Sequence, residues 1–124
     1  MLSISASDYR KACREVVQSA LKRPQMYFES LRELEAIMQG HATAFSQLAS
    51  IVREETFHSQ FSDWLFKLKG LSCAGGWAYA IEEQCKESGD DPVKVFGEYA
   101  GRFLDEWNDD HPPENVIGLF KTSH

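Results

Sequence analysis

Residues 20–30 read ALKRPQMYFES, and the fold turns on how this stretch is taken. Before it, Tyr9, Ala12, Cys13, Val16, Val17, Ala20 and Leu21 recur at three–four spacing, one apolar stripe on a helix. That helix is predicted from about Asp8 to Arg23, with Ser7 as its cap. Pro24 stops it, because the residue before a proline avoids the helical region. Ser30-Leu31-Arg32-Glu33 then has the form of a capping box, a serine followed three residues later by a glutamate. The stretch is therefore a joint between two helices. Met26, Tyr27 and Phe28 put three large apolar side chains into it, and they are expected to close the end of a bundle as core rather than to form a binding surface.

The same pattern continues along the chain. Leu31, Leu34, Ile37, Met38, His41, Phe45, Leu48, Ile51 and Val52 extend the second stripe to about Arg53. Gly40 interrupts it and is expected to let a neighbouring helix approach. A third helix is predicted from Thr56 to Lys69, with Phe57, Phe61, Trp64, Leu65 and Leu68 inward and Gly70 as its stop. A fourth starts near Gly76 and turns Trp77, Ala80, Ile81 and Cys85 inward. Asp91-Pro92 opens a fifth, as cap and first helical position. Its stripe is Val93, Phe96, Tyr99, Ala100, Phe103, Leu104 and Trp107. No segment alternates long enough to demand a strand. The reading is all-α: one domain over residues 1–124, a bundle of about five helices. Residues 108–124 form a tail expected to dock on the body through Val116-Ile117-Gly118-Leu119-Phe120.

Bulk composition agrees. The chain has 124 residues, enough for a core without metal or disulfide support. Its three cysteines, Cys13, Cys73 and Cys85, are odd in number and form no CxxC pair, which predicts reduced thiols and a cytoplasmic location. No signal peptide is read at the start, and no run reaches the ~18 apolar residues of a membrane span. Charge is uneven: nine Lys/Arg against eight Asp/Glu up to Lys69, then four against eleven, so that +1 and −7 make the net −6. The acidic half disfavours direct contact with nucleic acid and favours a basic protein partner.

Little in the sequence points to catalysis. Gly75-Gly76 lacks the spacing of a phosphate loop, and none of His41, His58, His111 and His124 lies in a zinc motif. His41 falls on the apolar stripe and is read as a satisfied core histidine. Glu55 and His58 match the Glu-x-x-His spacing of di-metal bundles once, without the second copy such a site needs. Cys73 precedes Ala74-Gly75-Gly76 near a helix start, where a thiol pKa can be depressed, but a structural thiol in a tight turn is the expected role. The chain is read as a non-enzyme with no cofactor and no metal.

Arg23-Pro24-x-Met26-Tyr27 resembles the RPGMY stretch of the ATPase domain of gyrase-type topoisomerases, although the magnesium-binding asparagine helix and the glycine-rich lid of that family are missing. A wider resemblance runs through this motif, Leu31-x-x-Leu34, Gly40-His41-x-x-Ala44, Trp64-Leu65, Gly76-Trp77-Ala78 with Ile81, Phe96 and Phe103-Leu104. In that order they resemble small bacterial helical proteins of toxin–immunity loci. This resemblance implies an immunity-like inhibitor that binds and blocks one cognate toxin, and the acidic half suggests that the toxin has a basic surface, as a nuclease would. From the charge pattern, the partner-binding residues are expected on an acidic face: Glu98, Asp105, Glu106, Asp109 and Asp110. The alternatives are a homodimeric regulatory or scaffolding module, and a small enzyme using Cys73 or the Glu55/His58 pair.

Overall fold

The computed structural model describes residues 5–23, 28–48 and 51–107. Five α-helices and one 3₁₀ turn account for most of them, and no strand occurs among the described residues. The helices are α1 (Ala6–Lys22), α2 (Leu31–Leu48), α3 (Phe57–Lys69), α4 (Trp77–Ser88) and α5 (Pro92–Glu106), with the 3₁₀ turn Arg53–Glu55 leading into α3. The all-α bundle is as the apolar periodicity requires. Met26, Tyr27, His111, His124, Asp109, Asp110 and the tail fall outside the described residues.

Local chemistry sets most helix ends. α1 starts two residues earlier than predicted, and its cap is Ser5, not Ser7. Ser5 Oγ accepts from Asp8 N at 3.2 Å, and Asp8 Oδ2 accepts from Ser5 N at 2.9 Å. This reciprocal pair satisfies two donors that a helix start leaves open, and Ser7 has no such partner three residues on. The hydrogen bonds also hold the Asp8 carboxyl below its ordinary pKa. At α2, Ser30 Oγ accepts from Glu33 N as predicted, while Glu33 Oε1 reaches one residue further back, to Glu29 N. Asp91 caps α5 through Val93 N, with Pro92 at the first helical position. At the other end of α5, the Arg14 guanidinium donates to the carbonyls of Leu104 and Trp107. It supplies partners for carbonyls that the helix end cannot satisfy itself.

The core is an aromatic cluster centred on α3. Phe61 is fully buried, and its ring lies 5.5 Å from Trp77, 5.8 Å from Phe96 and 5.4 Å from Phe103, centroid to centroid. Phe57 adds contacts to Phe103 and Trp107, which tie the start of α3 to the end of α5. Burying each such ring contributes roughly 1.5–3 kcal/mol. Tyr9 joins α1 to the cluster: its ring packs on Trp107 and His41, and its hydroxyl accepts from the buried Phe57 N at 2.8 Å. Phe28 is buried, so the one described member of the Met26–Phe28 trio serves the core.

Several inward assignments are corrected. Ile37, Leu48, Val52 and Leu68 are exposed. α2 is described only to Leu48, and Ile51 and Val52 lie in an extended link before the 3₁₀ turn rather than on a continued helix. A stripe drawn at three–four spacing is broader than the surface that neighbours can cover, so its margins face water. Gly40 is exposed, and a Cβ built there would meet nothing within 4 Å. Among the described residues no helix approaches it.

Candidate functional site

Two surface features follow from this packing. The first lies between the C-terminal half of α2 and the start of α3. Here the link through Ile51, the 3₁₀ turn and the first turn of α3 stand off from α2. They leave a groove of about 560 Å³ lined by Gln39, Ala42, Thr43, Ser46, Ile51, Arg53, Thr56, His58 and Ser59. Ala42 and Ile51 are buried and form its apolar floor. Thr56 caps α3, its Oγ1 accepting from Ser59 N at 3.3 Å.

His58 stands where the groove meets a buried joint. Its Nδ1 lies 3.2 Å from Gln39 Nε2 and 3.7 Å from Glu35 Oε2. Glu35 projects from α2 to the start of α4, where its Oε2 accepts from Ala78 N at 3.4 Å. A carboxylate at this helix end meets the positive pole of the helix as well as a free donor. Gly76 makes the approach possible. Its φ is +100°, and a Cβ there would fall 2.6 Å from Glu35 Oε2. Only glycine takes this backbone conformation without strain. Trp77, the first residue of α4, is fully buried, as its place on the apolar stripe predicts.

The Glu55–His58 pair is not brought together. Glu55 Oε1 turns back to accept from Val52 N at 3.0 Å, holding the 3₁₀ turn, and the carboxylate beside His58 is Glu35. Among the described residues no group of three His, Cys, Asp or Glu side chains could hold a metal ion. Cys73 also departs from the activated thiol that its setting near a helix start allows. Burial, with the charges of Glu35 and Asp63 nearby, pushes it up to about 11. Cys13 is buried beneath α2, where its Sγ lies 3.8 Å from His41 Nδ1, and burial pushes it up to about 12. Burial lowers the pKa of His41, whose ring packs between Tyr9 and Phe45. All three cysteines are free.

The second feature is the acidic outer side of α4 and α5. Part of its charge is used internally. Glu82 pairs with Arg32 at 2.9 Å, Glu83 pairs with Lys86 at 2.8 Å, and Glu106 Oε1 accepts from Trp64 Nε1 at 3.4 Å. Asp105 is exposed and has a partner of its own. Glu98 is exposed, as are Glu87 and Asp90, and the side chains of these three form no ion pair or hydrogen bond among the described residues. A shallow groove of about 340 Å³ lies between α4 and the link before it, lined by Leu71, Tyr79, Ala80, Glu83, Lys86 and Glu87. Tyr79 is 44% exposed and carries the Arg32 guanidinium 5.5 Å above its ring. Of the acidic residues expected at an interface, Glu98 is thus unengaged, Glu106 is tied to the core, and Asp109 and Asp110 lie outside the described residues.

Glu35 and Arg53 were not singled out from sequence. For Glu35 a cue exists: it stands three residues before Met38 and seven before Ala42, on the buried side of α2, where a carboxylate needs a partner. No local pattern marks Arg53, because the groove exists only once α2 and α3 are docked. No protein-family model, curated protein or solved structure matches this chain. Among the described residues no helix is long and apolar enough to cross a membrane.

Proposed function

We propose that this protein is a non-catalytic, cytoplasmic protein-binding domain, an immunity-like inhibitor that covers a basic surface of a cognate toxin. The observation that carries the reading is the outer side of α4 and α5. There Glu87 borders the Leu71–Ala80 groove together with the exposed Tyr79, and the carboxylates of Asp90, just past α4, and Glu98, on α5, are likewise exposed and unengaged. Unpaired surface charge accelerates encounter with an oppositely charged partner, and an aromatic side chain beside an apolar groove supplies the kind of anchor that dominates interface affinity. Glu98 is retained from the sequence-based set, with Glu87 and Asp90 added to it.

The test starts with the tagged protein purified from its native host and the identity of what it retains. Reversing Glu87→Lys, Asp90→Lys and Glu98→Lys together should slow association with a basic partner about tenfold or more at low salt, with the difference shrinking as salt rises. Association that ignores both the reversal and the salt refutes the acidic-face reading. Homodimerisation is the second reading, favoured by the exposure of Phe66 (63%) and Leu68 (52%) near the end of α3. Light scattering decides it: a concentration-dependent dimer mass, lost on Phe66→Ser, supports the homodimer.

A further inference from the structure

The groove between α2 and α3 is not used by the proposed interface, and its lining is chemically one-sided. Among the described residues it contains a guanidinium, an imidazole, an amide and four hydroxyls, and no carboxylate. Arg53 is exposed and pairs with no acid among the described residues. The neighbouring Glu55 carboxylate accepts from Val52 N and forms no ion pair with Arg53. The positive end of α3 faces the same space. Of its first donors, Phe57 N is satisfied by Tyr9, Ser59 N by the Thr56 side chain and Gln60 N by the Thr56 carbonyl. The His58 N–H is left without an acceptor among the described residues. One guanidinium and one open helix end call for a single negative charge.

The opposite wall asks for something else. Thr43 Oγ1 donates to Gln39 O at 3.0 Å, and Ser46 Oγ donates to Thr43 O at 2.8 Å. Their protons are spent on the backbone, so both hydroxyls offer only lone pairs to a ligand. Between the two walls lies the apolar floor of Ala42 and Ile51. We infer that this groove is a binding site for a small monocarboxylate that carries a hydroxyl or amine donor and a short aliphatic side chain. The carboxylate meets Arg53 and the start of α3, the donor meets Thr43 and Ser46, and the aliphatic part covers Ala42 and Ile51. The volume is within the range of small-molecule sites, ~300–1,000 Å³, and far exceeds what an inorganic anion would fill.

The experiment is an NMR titration of the full chain with three probes that share an isobutyl group: 2-hydroxyisocaproate, isocaproate and 3-methylbutanol. The hydroxy acid should produce saturable shifts at the amides of Thr43, Ser46, His58 and Ser59. Isocaproate should bind more weakly, and 3-methylbutanol should not saturate. Arg53→Gln, at an exposed position that leaves the fold intact, should weaken the hydroxy acid about tenfold. Thr43→Val should reduce the advantage of the hydroxy acid over isocaproate while leaving isocaproate binding unchanged. Three results would each overturn the site: no saturable shift with either acid, an alcohol that binds as well as the acids, or an affinity that Arg53→Gln does not change. Because the readout concerns a groove on α2 and α3, failure here leaves the acidic face of α4 and α5 untouched, and the reverse also holds.

Discussion

Replacing Gly76 by alanine tests the joint on which α2, α3 and α4 meet. Two costs are added. The first is backbone strain: at φ +100° and ψ 151°, an L-residue sits in a region that is essentially reserved for glycine, at about 1–3 kcal/mol. The second comes from Glu35. The new Cβ would lie 2.6 Å from Oε2 and 2.8 Å from Oε1, so the carboxylate must move. Moving the end of a flexible side chain is cheap in itself. The loss is its hydrogen bond from Ala78 N and its place beside His58, about 1 kcal/mol for a partly buried, charge-assisted contact. The sum is about 2–4 kcal/mol, read as a lower urea midpoint at unchanged slope. A double-mutant cycle separates the parts. In a Glu35→Ala background the carboxylate is already gone, and Gly76→Ala should cost only its backbone share, a coupling of about 1 kcal/mol. A cost below ~1 kcal/mol in the wild-type background would refute the strain. Equal costs in both backgrounds would refute the Glu35 contact.

Three further outcomes are expected. Tyr9→Phe removes the acceptor of the buried Phe57 N–H without changing the ring packing, so unfolding free energy should fall by about 1–3 kcal/mol in chemical denaturation; no loss would mean that water takes the place of the hydroxyl. The Cys73 thiol, pushed up to about 11, is almost wholly protonated at pH 8, and its alkylation by iodoacetamide should be slower than that of an unfolded control, with mass spectrometry identifying the site; fast labelling in the native state would contradict the raised pKa of this half-buried thiol. For His41 the folded-state pKa is lowered by burial, so the unfolded chain binds the proton more readily. The stability this contributes is complete above the ordinary histidine range, near pH 6.5, and is lost as pH falls through the lowered folded-state value. His41→Phe should flatten the stability curve in that window, and a curve of unchanged slope would dismiss the burial effect.

Periodicity alone determined the class of this protein. Tyr9, Cys13, Val17 and Ala20 repeat at helical spacing and are the buried face of α1; Phe96, Ala100, Phe103 and Leu104 do the same on α5. Capping chemistry is equally local: Ser30, Gly70 and Asp91 act where their side chains or backbone freedom predict, and Thr56, read as the first residue of its helix, is the cap one position before it. Margins were less legible. Ser7 and Ser5 are equivalent as cap candidates until the Asp8 partner is considered, and Leu68 lies on the predicted stripe but outside the area that α4 and α5 cover.

What only the tertiary structure decided is which side chains meet across the helices. Sequence spacing paired Glu55 with His58, but Glu55 is consumed by the 3₁₀ turn and His58 faces Glu35, 23 positions earlier in the numbering. Arg53 became the one guanidinium of a groove whose walls come from α2 and α3. The physical reason is range. Helix formation and capping are set by neighbours within about four residues, which a sequence displays directly. A site is set by the relative placement of helices, and that depends on how a whole aromatic core around Phe57, Phe61 and Trp77 fills its space.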